Sequence, residues 1–93
     1  MTVTVRFLSA FHDLTGSKRL FFVEGKTLEQ IIDELETQIP GLKEKLLDSD
    51  GKLHPAYHVI HIKGNNMQGL CSKLDCPIGD GNEIVIMPLI SGG

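Results

Sequence analysis

The chain has 93 residues, enough for one compact domain and too few for two. Its net charge is −3, and its nine basic residues are scattered among twelve acidic ones, without the basic stripe of a nucleic-acid-binding domain. The apolar runs fall far short of the roughly 20 residues that span a bilayer, and the N-terminus lacks a signal-peptide pattern. We therefore expect one cytoplasmic domain over residues 1–93, with neither nucleic acid nor membrane as a partner.

The first part of the chain predicts a β-hairpin. Residues 2–8 alternate β-branched or aromatic residues with polar ones, the period-two pattern of a half-buried strand. Residues 9–17 contain turn-forming residues, and residues 18–23 read as a second strand. Because the connection is short, the two strands are expected to pair in antiparallel orientation.

A helix follows the hairpin. Thr27 and Gln30 have the spacing of a capping box, with Thr27 as the N-cap. Pro40 and Gly41 end the helix, and residues 42–47 predict one or two further helical turns. One apolar stripe recurs at helical spacing: Leu28, Ile31, Ile32, Leu35 and Ile39.

The second half of the chain is mostly strand. Residues 56–62 predict a third strand, a very short strand is possible near Met67, and residues 83–87 predict the last strand, which ends at Pro88. The last strand is apolar on both faces and is therefore expected at the centre of the sheet, parallel to the first strand. We predict an α+β fold, a mixed sheet with one main helix packed across one face, which is the β-grasp layout of ubiquitin.

The last strand has more apolar residues than one helix-covered face can use. If Ile84 and Ile86 face the helix, their neighbours face away from it. A bare apolar patch of this kind indicates a partner-binding site, and self-association is the alternative. The residues predicted for the patch are Val85, Met87 and Leu89, joined from the third strand by Tyr57 and Val59.

The chain ends in Gly92-Gly93, three residues after Pro88 stops the strand. Glycine lacks Cβ, so this end is thin enough to thread a narrow channel in another protein, and the terminal carboxylate is sterically open. We expect residues 89–93 to form a flexible tail, with Ile90 and Ser91 contacting the partner. A frayed end that happens to finish in glycine is the alternative reading.

Cysteine and histidine residues suggest other chemistry. Cys71 and Cys76 form a C-x4-C pair, which in a chain without an export signal is typical of free thiols. A redox pair is the alternative, although its C-x-x-C spacing is missing. His54, His58 and His61 raise the question of zinc, but strand residues three apart point to opposite faces. We predict solvated or core-edge histidines and no bound metal.

The tail, the order of elements and several loops together resemble the sulfur-carrier family of MoaD and ThiS type, which includes the small subunit of molybdopterin synthase. The matching segments are Met87 to Gly93, Asp80-Gly81, Gly25-x-Thr27-Leu28, Pro40-Gly41 and Asp50 to Leu53. The extra length between residues 40 and 56 is similar to the longer MoaD-like proteins, among them carriers that feed cysteine biosynthesis.

The resemblance implies a carrier rather than an enzyme, with no bound cofactor. A ubiquitin-activating-type enzyme would use ATP to adenylate the Gly93 carboxylate, and a sulfur donor would displace AMP to leave a thiocarboxylate. A sulfur-accepting synthase would then take the sulfur. We expect molybdopterin synthase as the recipient, with cysteine biosynthesis or tRNA thiolation as alternatives. A protein modifier joined to lysines through Gly93 and a β-grasp binding module with an incidental Gly-Gly end are the other readings.

Overall fold

The structure is a computed structural model that describes residues 2–7 and 18–88. No helix within these ranges is both long and apolar enough to cross a membrane. The described elements are, in chain order, β1 (Val3–Phe7), β2 (Leu20–Val23), α1 (Leu28–Gln38), α2 (Leu42–Leu46), β3 (Tyr57–Lys63), β4 (Asn66–Leu70) and β5 (Glu83–Pro88).

The strands form one five-stranded sheet in the order β2-β1-β5-β3-β4. The last strand, β5, lies at the centre, parallel to β1 and antiparallel to β3. Both neighbours saturate its backbone hydrogen bonds, which suits a strand with apolar residues on both faces. The predicted α+β mixed sheet of β-grasp type is therefore confirmed, and the strand near Met67 is a full partner of β3.

The start of α1 is fixed by the predicted capping box. The Thr27 Oγ1 accepts the backbone N–H of Gln30 at 3.3 Å, and the Gln30 Oε1 accepts the backbone N–H of Lys26 at 2.7 Å. These bonds satisfy N–H groups that a helix start leaves without partners. The whole predicted apolar stripe is buried against the sheet: Leu28, Ile31, Ile32, Leu35 and Ile39.

A carboxylate holds the corner between the two helices. Gly41 has a φ of 95°, and Glu36 accepts the backbone N–H groups of Lys43 at 2.7 Å and Gly41 at 3.0 Å. These bonds, the one from Lys43 first, lower the pKa of Glu36 because they favour the ionised carboxylate. The Lys43 Nζ bonds the Asp33 Oδ1 at 2.6 Å, which raises the pKa of Lys43.

A short loop leads from α2 to β3 and, together with α2, forms the segment between residues 40 and 56. The Asp48 Oδ1 accepts the backbone N–H groups of Lys52 at 3.0 Å and Asp50 at 2.9 Å. These bonds, led by the one from Lys52, lower the pKa of Asp48. A bridge between Leu47 and Leu53 closes the loop.

The two cysteines are joined as a disulfide, so the prediction of free thiols is wrong for this structure. Cys71 follows β4 directly, and its N–H bonds the Val59 carbonyl at 2.8 Å. A turn, closed by the Cys76 N–H on the Lys73 carbonyl at 3.1 Å, then brings the Cα atoms of the two cysteines to 5.7 Å. That separation suits a disulfide, and the C-x4-C spacing alone does not reveal so tight a turn.

Candidate functional site

The candidate site is the end of β5 together with the sheet face opposite α1, called the outer face below. β5 carries the chain through the centre of the sheet to Pro88, which lies opposite Tyr57 and five residues before Gly93. The root of the tail at Pro88 is thus held by its pairing with β3, two residues beyond Ile86, the last β5 residue with a described partner on β1. A protein that binds the sheet next to Pro88 therefore fixes the position at which the tail begins.

One row of paired residues crosses the outer face on all five strands. The register places Val85 at its middle, between Arg6 of β1 and Ile60 of β3. Leu20 of β2 and Leu70 of β4 complete the row at the two edges. Four of these five side chains are apolar, so the row forms an apolar band that is interrupted at Arg6.

A second row runs parallel to the first. It contains Phe22, Thr4, Glu83, Ile62 and Met67, again one residue from each strand. Phe22 is 61% exposed and Met67 is 69% exposed, and Leu70 in the first row is 57% exposed. So much apolar surface on one face exceeds what scattered surface residues explain and indicates an interaction surface.

Met87 lies closest to the tail on this face. It pairs with His58 across the β5–β3 ladder, and its side chain is half-buried, as is that of Val85. By contrast, Ile84 and Ile86 are fully buried beneath α1. The predicted division of β5 between a core face and a bare face is therefore confirmed for these residues.

An ion pair lies near the centre of this face. The Arg6 Nε donates to the Glu83 Oε2 at 2.9 Å, with the two side chains 50% and 28% exposed. A pair this exposed stabilises the fold by no more than about 1 kcal/mol. In a protein–protein interface, a charged pair of this kind contributes more to the orientation and specificity of binding than to affinity.

Two of the predicted patch residues belong to the other face. Val59 lies opposite Ile86 and is 1% exposed, while Tyr57 is half-buried and packs against the core cluster. The placement of both on the outer face was wrong, and Ile60 and His58 take their positions. Sequence alone does not decide which alternate residues of β3 face the helix, because a shift of the strand register by one residue exchanges the two faces.

The remaining predicted site residues lie outside the described residues: Leu89, Ile90, Ser91, Gly92 and Gly93. The sequence did not indicate six apolar residues of the outer face: Leu20, Phe22, Ile60, Ile62, Met67 and Leu70. The alternation of Leu20-Phe21-Phe22-Val23 was a usable signal for the β2 members, since Phe21 and Val23 are buried and the other two are not. For the β4 members no local signal existed, because the strand is short and contains Gly69.

The amino-acid sequence matches the model of a known protein family. The model of the ThiS family matches residues 5–93, nearly the whole chain and including the Gly92-Gly93 end. The sulfur carrier protein CysO of Mycobacterium bovis is 32% identical over 95 residues, covering 100% of both chains, and CysO of Mycobacterium tuberculosis matches equally.

Solved structures of related proteins have the same fold as this chain. In the BexX/CysO complex of Amycolatopsis orientalis, one chain superposes with a TM-score of 0.83 at 26% identity, covering 98% of this chain and 99% of that one. A chain in the complex of subunits 1 and 2 of the molybdopterin-converting factor from Helicobacter pylori matches with a TM-score of 0.59 at 25% identity, covering 100% of both chains. Both of these neighbours are found in complexes with a second protein.

Proposed function

Because this chain belongs to the ThiS family, we propose that it is a ubiquitin-like sulfur carrier whose working group is the C-terminal carboxylate of Gly93. The observation that carries the proposal is the family match through to Gly92-Gly93, in the segment of the sequence that follows the central strand β5. The chain itself supplies the carboxylate that receives the sulfur and a recognition surface, and the chemistry is performed by partner enzymes.

The proposed cycle has two stages. An adenylating enzyme of ubiquitin-activating type lets a Gly93 carboxylate oxygen attack the α-phosphorus of ATP, and pyrophosphate leaves. If the donor is sulfide, it attacks the acyl carbon, displaces AMP and leaves the thiocarboxylate directly. If the donor is a persulfide, the same attack gives an acyl disulfide, and a thiol then cleaves its S–S bond to leave the thiocarboxylate and a new disulfide. Sulfur is the better nucleophile of the two atoms now on that carbon, so a synthase can transfer it to an electrophilic substrate.

The outer face is the proposed docking surface for both partners. Its apolar band crosses β5 at Val85, and Met87 lies two residues further along the same strand, next to the root of the tail. A partner that buries this band fixes where the tail begins and so aims Gly93 at its active site. Binding energy at such surfaces is concentrated in a few buried apolar anchors near the centre of the contact, and Val85 and Met87 occupy that position.

Among the sulfur recipients, we favour cysteine biosynthesis over molybdopterin synthesis. The relatives named CysO match at 32% identity over their full length, whereas the molybdopterin-converting factor chain matches at 25% with the lower TM-score of 0.59. The segment between residues 40 and 56, which includes α2, is also a feature of the longer carriers. Molybdopterin synthase is the second candidate, supported by the full-length match to that subunit complex.

Reconstitution tests the proposal. The protein is incubated with a ubiquitin-activating-type enzyme of proven activity, ATP and a sulfur donor, and its intact mass is measured. The mass should rise by the difference between one sulfur and one oxygen atom, and a variant that lacks Gly92-Gly93 should not change. An unchanged mass in the full chain would refute the carrier function, and covalent adducts on lysines of other proteins would indicate a protein modifier instead.

A further inference from the structure

A cluster of potential metal ligands lies on the helix-facing side of the sheet, away from the outer face. It consists of His61, Cys71 and Cys76, whose ligand atoms all lie within 4.8 Å of one another. His61 pairs with the fully buried Ile84, Cys71 is 3% exposed, and Cys76 is half-buried. The sulfur-carrier function proposed above uses none of the three residues.

Separate backbone contacts hold each member of the cluster. His61 is part of the β3 ladder, and Cys71 is tied to the same strand by its N–H bond to Val59. Cys76 is tied to the start of α1, because its carbonyl accepts the backbone N–H of Leu28 at 3.0 Å. The ligand positions therefore stay together whether or not the two sulfur atoms are bonded.

Hydrogen bonds also indicate the tautomer of the neutral His61 ring. The Asn82 Oδ1 accepts the backbone N–H of Gly79 at 2.8 Å, which assigns that atom as the amide oxygen. The His61 Nε2 lies 2.7 Å from the same oxygen and must therefore carry a hydrogen. In the neutral ring this leaves a lone pair on Nδ1. Histidines that bind metals are commonly oriented in this way, with the second nitrogen donating to a fixed acceptor, and Asn82 is itself 6% exposed.

We propose that reduction of the Cys71–Cys76 disulfide creates a binding site for a thiophilic transition-metal ion of the Zn²⁺ type, with His61, Cys71 and Cys76 as ligands. A dithiol supplies two electrons and two protons: the S–S bond breaks, two thiols form, and the dithiol becomes a disulfide. Zn²⁺ then displaces the two thiol protons. The resulting charge of two thiolates and one divalent ion is zero, which suits a largely buried position.

The geometry suits such an ion. Zn–S bonds near 2.3 Å and tetrahedral angles need the sulfur atoms only about 3.8 Å apart, which side-chain rotation can supply once the disulfide opens. Thiolate and imidazole ligands select zinc and similar ions over magnesium or calcium. Because Cys76 and His61 are only half-buried, solvent can reach the fourth position. Bound metal would also fix the 72–76 turn, whose Leu74 and Cys76 carbonyls accept N–H groups at the start of α1.

The test uses the untagged full chain without any partner enzyme, so its outcome is independent of the proposed function. The protein is reduced anaerobically with a phosphine, for which water supplies the oxygen atom of the phosphine oxide and the two protons of the new thiols, and both thiols are then counted. Co²⁺ is then titrated as the probe. One ion per chain should bind, with thiolate-to-cobalt charge-transfer absorption, and Zn²⁺ should displace it and raise the Tm of the reduced protein but not of the oxidised protein.

Variants identify the ligands. His61→Ala and Cys76→Ser should each weaken Co²⁺ binding by more than about tenfold, and Asn82→Ala, which removes the acceptor of the His61 ring N–H, should weaken it by about 10- to 100-fold. His58→Ala is the matched control, because His58 lies on the outer face, and it should bind normally. Circular dichroism checks that each variant is folded. The proposal is overturned if the folded protein cannot be reduced, if the reduced protein binds no Co²⁺, or if His61→Ala binds it as tightly as His58→Ala.

Discussion

Val85 of β5 lies directly opposite Ile60 of β3 on the outer face, and Ile60 lies opposite Leu70 of β4. This pairing joins the central strand, which leads to Gly93, to the edge of the sheet through apolar contacts alone. It also decides which residues of β3 face a partner: Ile60 and not Val59. The proposed docking surface therefore extends from the tail root towards β4.

Met87→Glu should weaken binding of the adenylating enzyme by about 2 kcal/mol or more, because it places a charge at a central apolar anchor. The cost to folding should be smaller, since Met87 is only half-buried. Affinity and the free energy of unfolding are measured on the same preparation. A collapse of stability would mean that Met87 belongs to the core.

Met67→Glu is the matched control for that variant. Met67 lies on the same face and is 69% exposed, but it pairs with Ile62 near the opposite end of β5 from the tail. Its substitution should change partner affinity much less than Met87→Glu. Equal losses from the two variants would contradict a contact centred on the tail root.

Truncation of two neighbouring side chains on β5 should cost very different amounts of stability. Ile86→Ala should cost about 2–5 kcal/mol of stability, because Ile86 is fully buried and a cavity would remain. Val85→Ala should cost about 1 kcal/mol or less, since its side chain is half-buried. Denaturant unfolding measures both. Similar losses would show that the two faces of β5 are not distinguished by burial as described.

Acid should weaken the α1–α2 corner through Glu36. The folded-state pKa of Glu36 is lowered, so the ionised carboxylate stabilises the fold fully above the ordinary pKa of 4.5. This stabilisation is lost as the pH falls through the lower folded-state pKa. Glu36→Gln should therefore lose less stability than the parent between neutral and acidic pH. Glu34→Gln, on the exposed side of the same helix, is the control. An unchanged pH dependence in Glu36→Gln would contradict the role of this carboxylate.

Deletion of Gly92-Gly93 should abolish activation and leave the Tm nearly unchanged, because a chain end contributes few buried contacts when it is free of the domain. Thermal unfolding of the full and shortened chains provides the comparison. A large fall in Tm would show that the end is packed against the domain and is not a free reactive group.

The sequence was most informative where the deciding pattern is local. The capping residues and the apolar stripe of α1 lie within one helix, and the apolar character of Ile84 to Met87 is enough to place β5 at the centre of a sheet. These features depend on spacing along a single segment, so they could be predicted without knowledge of the partners.

The errors concern contacts between segments. The face of Val59 depends on its register with Ile86, which no pattern within β3 records. The pairing of Cys71 with Cys76 depends on where β4 ends and on a turn that spacing does not reveal, and the approach of His61 to both depends on the β3–β4 pairing. The outer face was underestimated for the same reason, since Leu70 and Phe22 join it only through the ladder.

The central claim is that the transferred sulfur resides on Gly93, and locating it after reconstitution tests this most directly. Cleavage after Glu83 releases residues 84–93, a fragment that contains Gly93 and no cysteine. Mass spectrometry of this fragment should show one oxygen replaced by sulfur. An unmodified fragment, with an added sulfur found instead as a persulfide on the segment that contains Cys71 and Cys76, would contradict the account.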